Sequence, residues 1–363
     1  MKNITSFCFI FIFVGIAQAF AQHDSTFKSS GKPIIQVFGN FDYNASRDTQ
    51  KKYAFWFGRA HFGYEYQYSK HWSGKVIIDA VRPTTVGTIT VQDSAGNNLQ
   101  VSHTSKEGAY YTMNLKFACL EWKLNEYFKI QAGAVLQNHY MTMERFWGYR
   151  YVAETFQDRY YKMPSSDLGF IAYYKAKEKV GLDVALTNGE GFRFGQDPYV
   201  DVKMAAGLDF NPFKGLQTRV FYDYLKSKDP SKSAEQQLFS AFVGYKHGDK
   251  FRIGAEYNYR KNNSNIPYHD LFGYSVYGSY RIFNKVEYFV RYDHLMSNKI
   301  SGYAHVWNYN GDGQAIITGL HFSPVTNVNL SLNYQGFIHE DPNMAPQHHV
   351  LLSLNINFSK SYS

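Results

Sequence analysis

From Pro33 onward the chain alternates apolar and polar residues in short stretches separated by turn-forming residues. The last stretch shows it most clearly: Val350, Leu352, Leu354, Ile356 and Phe358 share one side, and Ser353, Asn355 and Asn357 the other. A period of two belongs to a β-strand with two chemically different faces. Sixteen such strands are predicted: Pro33–Tyr43, Tyr53–Tyr68, Trp72–Arg82, Gly108–Leu124, Phe128–Tyr140, Asp167–Ala176, Lys179–Asn188, Asp201–Phe210, Leu216–Lys226, Glu235–Lys246, Lys250–Arg260, Leu271–Ile282, Val286–Met296, Gly313–Phe322, Val328–Ile338 and His348–Phe358. In Tyr53–Tyr68, Trp56, Gly58, Ala60, Phe62, Tyr64 and Tyr66 are expected on one face, and Phe57, Arg59, His61, Glu65 and Gln67 on the other.

The connections alternate in length. Ser69–His71, Asn125–Tyr127, Asn211–Gly215, His247–Asp249 and Phe283–Lys285 are tight, whereas Pro83–Glu107, Gly189–Val200, Ser227–Ala234, Lys261–Asp270 and Ser297–Asp312 are long. Within Pro83–Glu107, Ala95-Gly96-Asn97-Asn98 between Val/Thr-rich arms signals a hairpin. An even number of antiparallel strands, with short connections at one end and long ones at the other, describes an all-β transmembrane barrel of about sixteen strands. A polar residue between each pair of apolar ones is natural where the outer face meets lipid and the inner face is wet. Short turns then belong on the periplasmic side, together with both termini.

One stretch breaks the period. Met141–Ser166 (MTMERFWGYRYVAETFQDRYYKMPSS) loses the alternation and carries dense charges of both signs, among them Glu144, Arg145, Arg150, Glu154, Asp158 and Arg159. Seven aromatics from Phe146 to Tyr161 argue against disorder. It is expected to be a long third external loop folded into the lumen as a constriction, anchored by Phe146, Trp147, Tyr149, Tyr151 and Phe156, with His139 at its root. An ordinary surface loop is the alternative, since loops of this length are functional or disordered.

The N-terminus fixes the compartment. Lys2, an apolar run to Ala17 and Ala19-Phe20-Ala21 form a signal peptide over residues 1–21, leaving a single barrel over residues 22–363. Removing it takes away Lys2 alone, so 38 bases become 37 against 30 acids and the mature charge is +7. Export and the absence of Lys/Arg runs exclude nucleic acid as a partner. Cys119 is then the only cysteine, so no intramolecular disulfide is possible. By alternation it faces lipid. No stretch beyond the signal reaches the ~18 uninterrupted apolar residues that a transmembrane helix needs, yet 18% of the residues are aromatic.

Candidate chemistry lies in the charges expected to face inward. The bases are Arg59, Lys75, Lys116, Lys129, Lys203, Arg219, Arg252, Arg281 and Arg291; the acids are Glu65, Asp79, Asp183, Asp201, Asp209, Asp223, Glu256, Glu287 and Asp293. A pore selects by width and by such lining charges. Acids of the insert facing wall arginines would set up a transverse field that favours polar solutes. Mutual neutralisation of lumen charges is the competing account. The thirteen histidines show no H-E-x-x-H or similar spacing. Asn308–Gly313 resembles the start of a calcium loop, but its twelfth position is Gly319 where a bidentate Glu is needed. No cofactor or metal is expected. No nucleophile-elbow motif is present, which leaves a barrel enzyme of lipase or protease type, or a non-conducting structural or adhesin barrel, as alternatives to a channel.

Together these features resemble the Gram-negative outer-membrane porins. The strand ending at Phe358 is similar to the signal read by the barrel-assembly machinery, although Ser359–Ser363 follow it. The run from Glu144 to Arg150, with Phe156-Gln157-Asp158 and Ser166-Asp167-Leu168-Gly169, resembles porins of Bacteroidota near the phosphate-selective porin O/P group. The resemblance implies passive diffusion of small polar solutes or ions, contact with outer-membrane lipid and lipopolysaccharide, a third loop narrowing the pore, and commonly a homotrimer. It also implies a basic ladder in phosphate-selective members. The evenly mixed lumen here departs from that, so at most a weak anion preference is expected.

Overall fold

The computed structural model describes residues 27–47, 49–81, 91–92, 98–99, 112–192 and 194–358. The expected signal peptide and the tail after Phe358 lie outside them. Sixteen strands form one closed antiparallel barrel: β1 (Ser30–Asn44), β2 (Tyr53–Gln67), β3 (Trp72–Val81), β4 (Thr112–Lys123), β5 (Phe128–Leu136), β6 (Ser166–Ala176), β7 (Val180–Thr187), β8 (Val202–Phe210), β9 (Leu216–Lys226), β10 (Glu235–His247), β11 (Phe251–Lys261), β12 (Leu271–Phe283), β13 (Val286–Ser297), β14 (Gly313–Val325), β15 (Val328–His339) and β16 (Gln347–Phe358). Each predicted strand has its counterpart. Closure is made by β1, which pairs with β2 on one side and β16 on the other, Ile35 opposite Phe358 and Asn44 opposite His349. Between β3 and β4, Val91–Gln92 pairs with Asn98–Leu99, where the hairpin was expected. Two-residue turns 284–285 and 326–327 place Lys285 and Asn327 at positive φ (71° and 68°), as tight hairpins require.

The wall is inverted relative to a soluble barrel. Phe55 (80% exposed), Met113 (74%) and Leu332 (58%) stand on its outer side, whereas Arg291, Asp293, Ser331 and Ser353 are buried on its inner side. Where the alternation is unbroken, the expected faces hold. Bulges within β2 and β4 shift it, and further register shifts lie beside the turns that follow β12 and β14. In β2, Phe38 pairs with Arg59 and Gly39 with Phe57, so Gly58 is an extra residue. Trp56 therefore points inward, beside Asp42 and Arg159, and Phe57 points outward, contrary to the strict alternation. In β4, Ile77 pairs with Phe117 and Ile78 with Leu115, so Lys116 is extra. Lys116 stays inward, but the phase after it flips and carries Cys119 to the inner face, where it lines a cavity. The expectation that Cys119 faces lipid is corrected: an unpaired bulge residue reverses every later side chain.

The predicted strand Phe128–Tyr140 ends earlier, at Leu136. The Gln137 N–H bonds to Ser165 O at 2.9 Å and closes the base of the insert. His139 is therefore buried beyond the strand and not on it. Nor is the inner face uniformly wet. Ser331, Asn333 and Ser353 are buried, with Asn333 Nδ2 donating to Ser353 Oγ (3.1 Å) and Leu351 O (3.3 Å).

Two outcomes check this arrangement. Leu332→Arg should cost about 2–4 kcal/mol if it lies near a bilayer midplane, measured by refolding into lipid, while Asn355→Arg on the inner face of β16 should cost little. Equal damage at both would mean that the outer face does not meet lipid. Cysteine at Ser264 should be labelled by an impermeant reagent on intact cells, and cysteine at Asn211 or Asn284 should not; the reverse pattern would invert the barrel's orientation.

Candidate functional site

The insert folds into two short helices, α1 (Met141–Trp147) and α2 (Phe156–Tyr161), joined by a turn. The helical spacing of Met143, Phe146 and Trp147 puts all three on one buried side of α1. Gly148 ends α1 at φ 74°, its N–H bonded to Glu144 O. A side chain there would collide with Arg252, whose Nη1 would lie 2.4 Å from its Cβ. The same Nη1 donates to Phe146 O at 3.1 Å, a cation at the helix C-terminus.

The insert is held by the buried face of the wall. Gly244 and Gly254, paired across β10 and β11, form a hollow in which any Cβ would meet the Phe146 ring at 2.6 and 2.9 Å. Gly273 leaves room for Phe156 in the same way, at 2.5 Å. Trp147 meets Tyr277 and Phe289 edge-on at 5.3 and 5.8 Å. Polar tips then find partners on successive strands. Thr142 donates to Asp209 (2.7 Å), Gln157 to Asn258 Oδ1 (2.6 Å), Tyr161 to Asn258 O (3.0 Å), Tyr149 to Glu287 (2.6 Å), Tyr160 to Asp293 (3.0 Å) and Tyr151 to Leu330 O (3.1 Å). The five expected anchors, Phe146, Trp147, Tyr149, Tyr151 and Phe156, are all buried.

The charges are arranged differently from the expected opposition of insert acids and wall arginines. Arg150, within the insert, gathers Glu144 (2.9 Å), Glu154 (3.2 Å) and Asp158 (3.6 Å). Asp158 also lies 3.8 Å from His139 Nε2. Burial alone would raise the Asp158 carboxyl, but His139 and Arg150 hold it below the usual carboxylate range. Burial also depresses the His139 imidazole, despite Asp158. The wall arginines mostly meet wall acids. Arg219 bridges Asp209 (2.6 Å) and Asp183 (2.8 Å), Arg281 meets Glu287 (3.1 Å), and Arg252 is 3.7 Å from Glu287. Arg291 forks onto Asp293 at 2.7 and 2.9 Å and donates to Glu154 O. Arg59 donates to Gln36 Oε1 (3.2 Å) and lies over Phe38, Arg159 donates to Gln335 Oε1 (3.3 Å), and Arg145 is exposed.

A cavity of about 460 Å³ separates the insert from β2–β5, lined by Arg59, Lys75, Lys116, Glu121, Lys129, Glu144 and Arg145 among others. A second, of about 380 Å³, shares Lys129, Asn138, Met141, Arg145 and Tyr173 with it and reaches Arg219. Sequence reasoning missed Glu121, displaced by the Lys116 bulge, and Arg260, which donates to Tyr161 O at 2.6 Å. It also missed the wall glycines, although an isolated Gly inside a strand pattern signals close approach of another group.

No family model matches the sequence, and no curated protein sequence matches it. Solved structures do. The outer membrane channel DcaP of Acinetobacter baumannii is 15% identical over 92% of this chain and 99% of its own, with a TM-score of 0.62. An anion-selective porin from Comamonas acidovorans is 10% identical over 91% and 100%, with a TM-score of 0.65. Salmonella typhi OmpF, in complex with daunomycin, is 12% identical over 91% and 97%, with a TM-score of 0.60. The chain thus has the fold of Gram-negative outer-membrane porins.

The anchors carry testable energies. Trp147→Ala should loosen the insert by about 3–5 kcal/mol, the usual cost of emptying a buried tryptophan site. Gly254→Val should unseat Phe146; limited proteolysis would then cut within the insert while the barrel persists. Because the folded pKa of Asp158 is depressed, its ion pair contributes fully above its unfolded pKa, ~3.9, and is lost as pH falls through the lower folded value. The buried His139 adds a second transition at higher pH: its imidazole is held below its free value of ~6.5, so opening the insert takes up a proton once pH falls below that value. Proteolysis of the insert should therefore stay constant above about pH 7, rise as pH falls through about 6, and rise again below about pH 4. His139→Gln should remove the first rise and keep the second; an unchanged first rise in that variant would assign it to another group.

Proposed function

We propose that the protein is an outer-membrane porin, in which the insert folds into the lumen and narrows a water-filled channel for small polar solutes. The observation that carries this reading is the insert's bonding to the buried face of the wall from β8 to β15, with a cavity left along β2–β5. The apolar outer face and the porin-type fold support insertion in the outer membrane, reached by export through the signal peptide and barrel assembly through β16. The Glu144–Arg150 motif supports a place near the phosphate-selective porins of Bacteroidota. The mixed lining supports at most a weak anion preference. A homotrimer in contact with lipid and lipopolysaccharide fits a fold whose neighbours include a trimer form of Vibrio cholerae OmpT (TM-score 0.56).

Planar-bilayer recording of the purified protein tests this. Discrete conductance steps are expected, and deleting residues 151–160 should enlarge them and admit larger solutes while the barrel still assembles. Neutralising Glu144 and Asp158 should shift permeability toward anions, and neutralising Arg145 and Arg150 toward cations. The constriction is narrow and poorly screened, unlike an exposed loop, where salt at ~0.15 M screens beyond ~8 Å. Wild-type conductance and selectivity in all these variants would place the insert outside the pore. A barrel that never conducts would favour the enzyme or adhesin alternative.

A further inference from the structure

We propose that Ser323, at the end of the barrel that carries the short turns, is an activated nucleophile that hydrolyses small carboxylic esters, with His321 as its base and Tyr151 of the insert holding that base in place. The site begins with a spacing. His321 and Ser323 are two residues apart on β14, so both side chains stand on its inner face. Beside them β14 changes register with β15. Phe322 pairs with Leu330 and Val325 with Val328, so Ser323 and Pro324 together oppose Asn329. Such a bulge re-aims a side chain. The Ser323 N–H is fixed on Lys285 O at 3.0 Å, and its Oγ stands 2.9 Å from His321 Nε2 and 2.7 Å from Asn329 Oδ1. Ser323 and His321 both stay partly exposed, so a solute can reach them.

The tautomer of the imidazole follows from its third partner. Tyr151 Oη lies 3.1 Å from Leu330 O, which can only accept, and 2.7 Å from His321 Nδ1. All three polar atoms are satisfied when the phenolic proton goes to the carbonyl and Nδ1–H goes to the phenol, which leaves Nε2 with its lone pair toward Ser323. The ring is packed by Tyr149 and Tyr151 at 5.2 and 6.0 Å. A nucleophile bonded to a base that a third group orients is the arrangement that makes a serine reactive. At rest the hydroxyl has two acceptors, but only the imidazole can take its proton, because an amide oxygen is far less basic. As Oγ attacks the ester carbonyl carbon, Nε2 takes that proton; the C–O bond to the alcohol breaks, and the alkoxide leaves with the proton. Water then attacks the acyl group on Oγ by the same route, which frees the acid and restores Ser323. The imidazolium formed in each step lies across from Glu287, the register partner of His321 on β13, an anion on the side where positive charge develops. An ester is the substrate class because its carbonyl carbon is more open to a hydroxyl than that of an amide.

The test uses the full chain, purified in detergent, and two probes: a fluorophosphonate, from which Oγ displaces fluoride, and p-nitrophenyl acetate. Peptide mass spectrometry should find the phosphonyl group on Ser323, and the acetate should be hydrolysed. Ser323→Ala should abolish both. His321→Gln should lower hydrolysis about 100-fold, the worth of a positioned general base. Tyr151→Phe, which removes only the hydroxyl, should lower kcat and leave KM unchanged, as expected of a positioning residue and not of a lost binding contact. Ser264→Ala, on the loop between β11 and β12, should change neither readout. Ser323→Ala removes one partly exposed hydroxyl, so it decides the matter even if His321→Gln does not fold. The proposal is overturned if Ser323 of the wild type carries no label, or if Ser323→Ala hydrolyses the acetate as fast as the wild type. Recordings on the same protein separate this site from the porin reading. Hydrolysis without conductance would overturn the channel and keep the site; conductance without hydrolysis would do the reverse.

Discussion

Closure of the hydrogen-bonded ring is the constraint on which the rest depends. In hydrocarbon every backbone N–H and C=O must find a partner within the protein, and a sheet with edges cannot meet that demand. The pairing of β1 with β16 removes the edges. Once the ring is closed, the two faces of each strand face different media, and the outer face can be as apolar as Phe55, Met113 and Leu332 make it. The cost appears on the inside. Arginines and carboxylates that a soluble protein would leave in bulk water are gathered in one enclosed space, so they must neutralise each other.

That requirement explains the form of the insert. Its apolar rings fill hollows made by wall glycines, and its hydroxyls and amides take up wall acids and carbonyls from β8 to β15. Three of its carboxylates gather around Arg150, Arg159 reaches Gln335 on the wall, and Arg145 stays exposed. Rigidity follows from the same contacts. A loop fastened by Trp147, Phe156 and hydrogen bonds on many strands has few ways to open without losing several of them together.

Most of the fold was legible in the sequence because a barrel wall repeats one rule, apolar out and polar in, for sixteen strands. Where that rule failed, the cause was local. A single unpaired residue, Gly58 or Lys116, reversed the side chains beyond it, and no composition or period announces a bulge before the partner strand is known. The insert was visible as a break in the period and as a run of aromatics. Its partners were not, since each contact joins residues about 70 to 180 positions apart, such as Thr142 with Asp209 and Tyr151 with Leu330. The ion pairs were half legible. Alternation gave the inward charges of Arg219, Arg281 and Arg291, but which acid each meets depends on register, and the same list of residues fitted both a transverse field and mutual neutralisation.

The pairing differs on the two sides of the barrel. Where the insert lies against the wall, Arg219, Arg252, Arg281 and Arg291 each have a carboxylate within 4.0 Å, and their fields cancel over short distances. Such pairs fix wall groups that in turn reach the insert, Arg252 donating to Phe146 O and Arg291 to Glu154 O. Along β2–β5 the lysines are likewise matched, but among the described residues Arg59 and Arg145 are not. The field along this side is therefore set by few groups, whatever the total count of inward charges. Nine inward bases against nine acids suggested a mixed lumen; pairing leaves Arg59 and Arg145, beside the cavity, without a carboxylate within 4.0 Å among the described residues. The field inside such a barrel therefore depends less on how many inward charges there are than on which of them folding has paired.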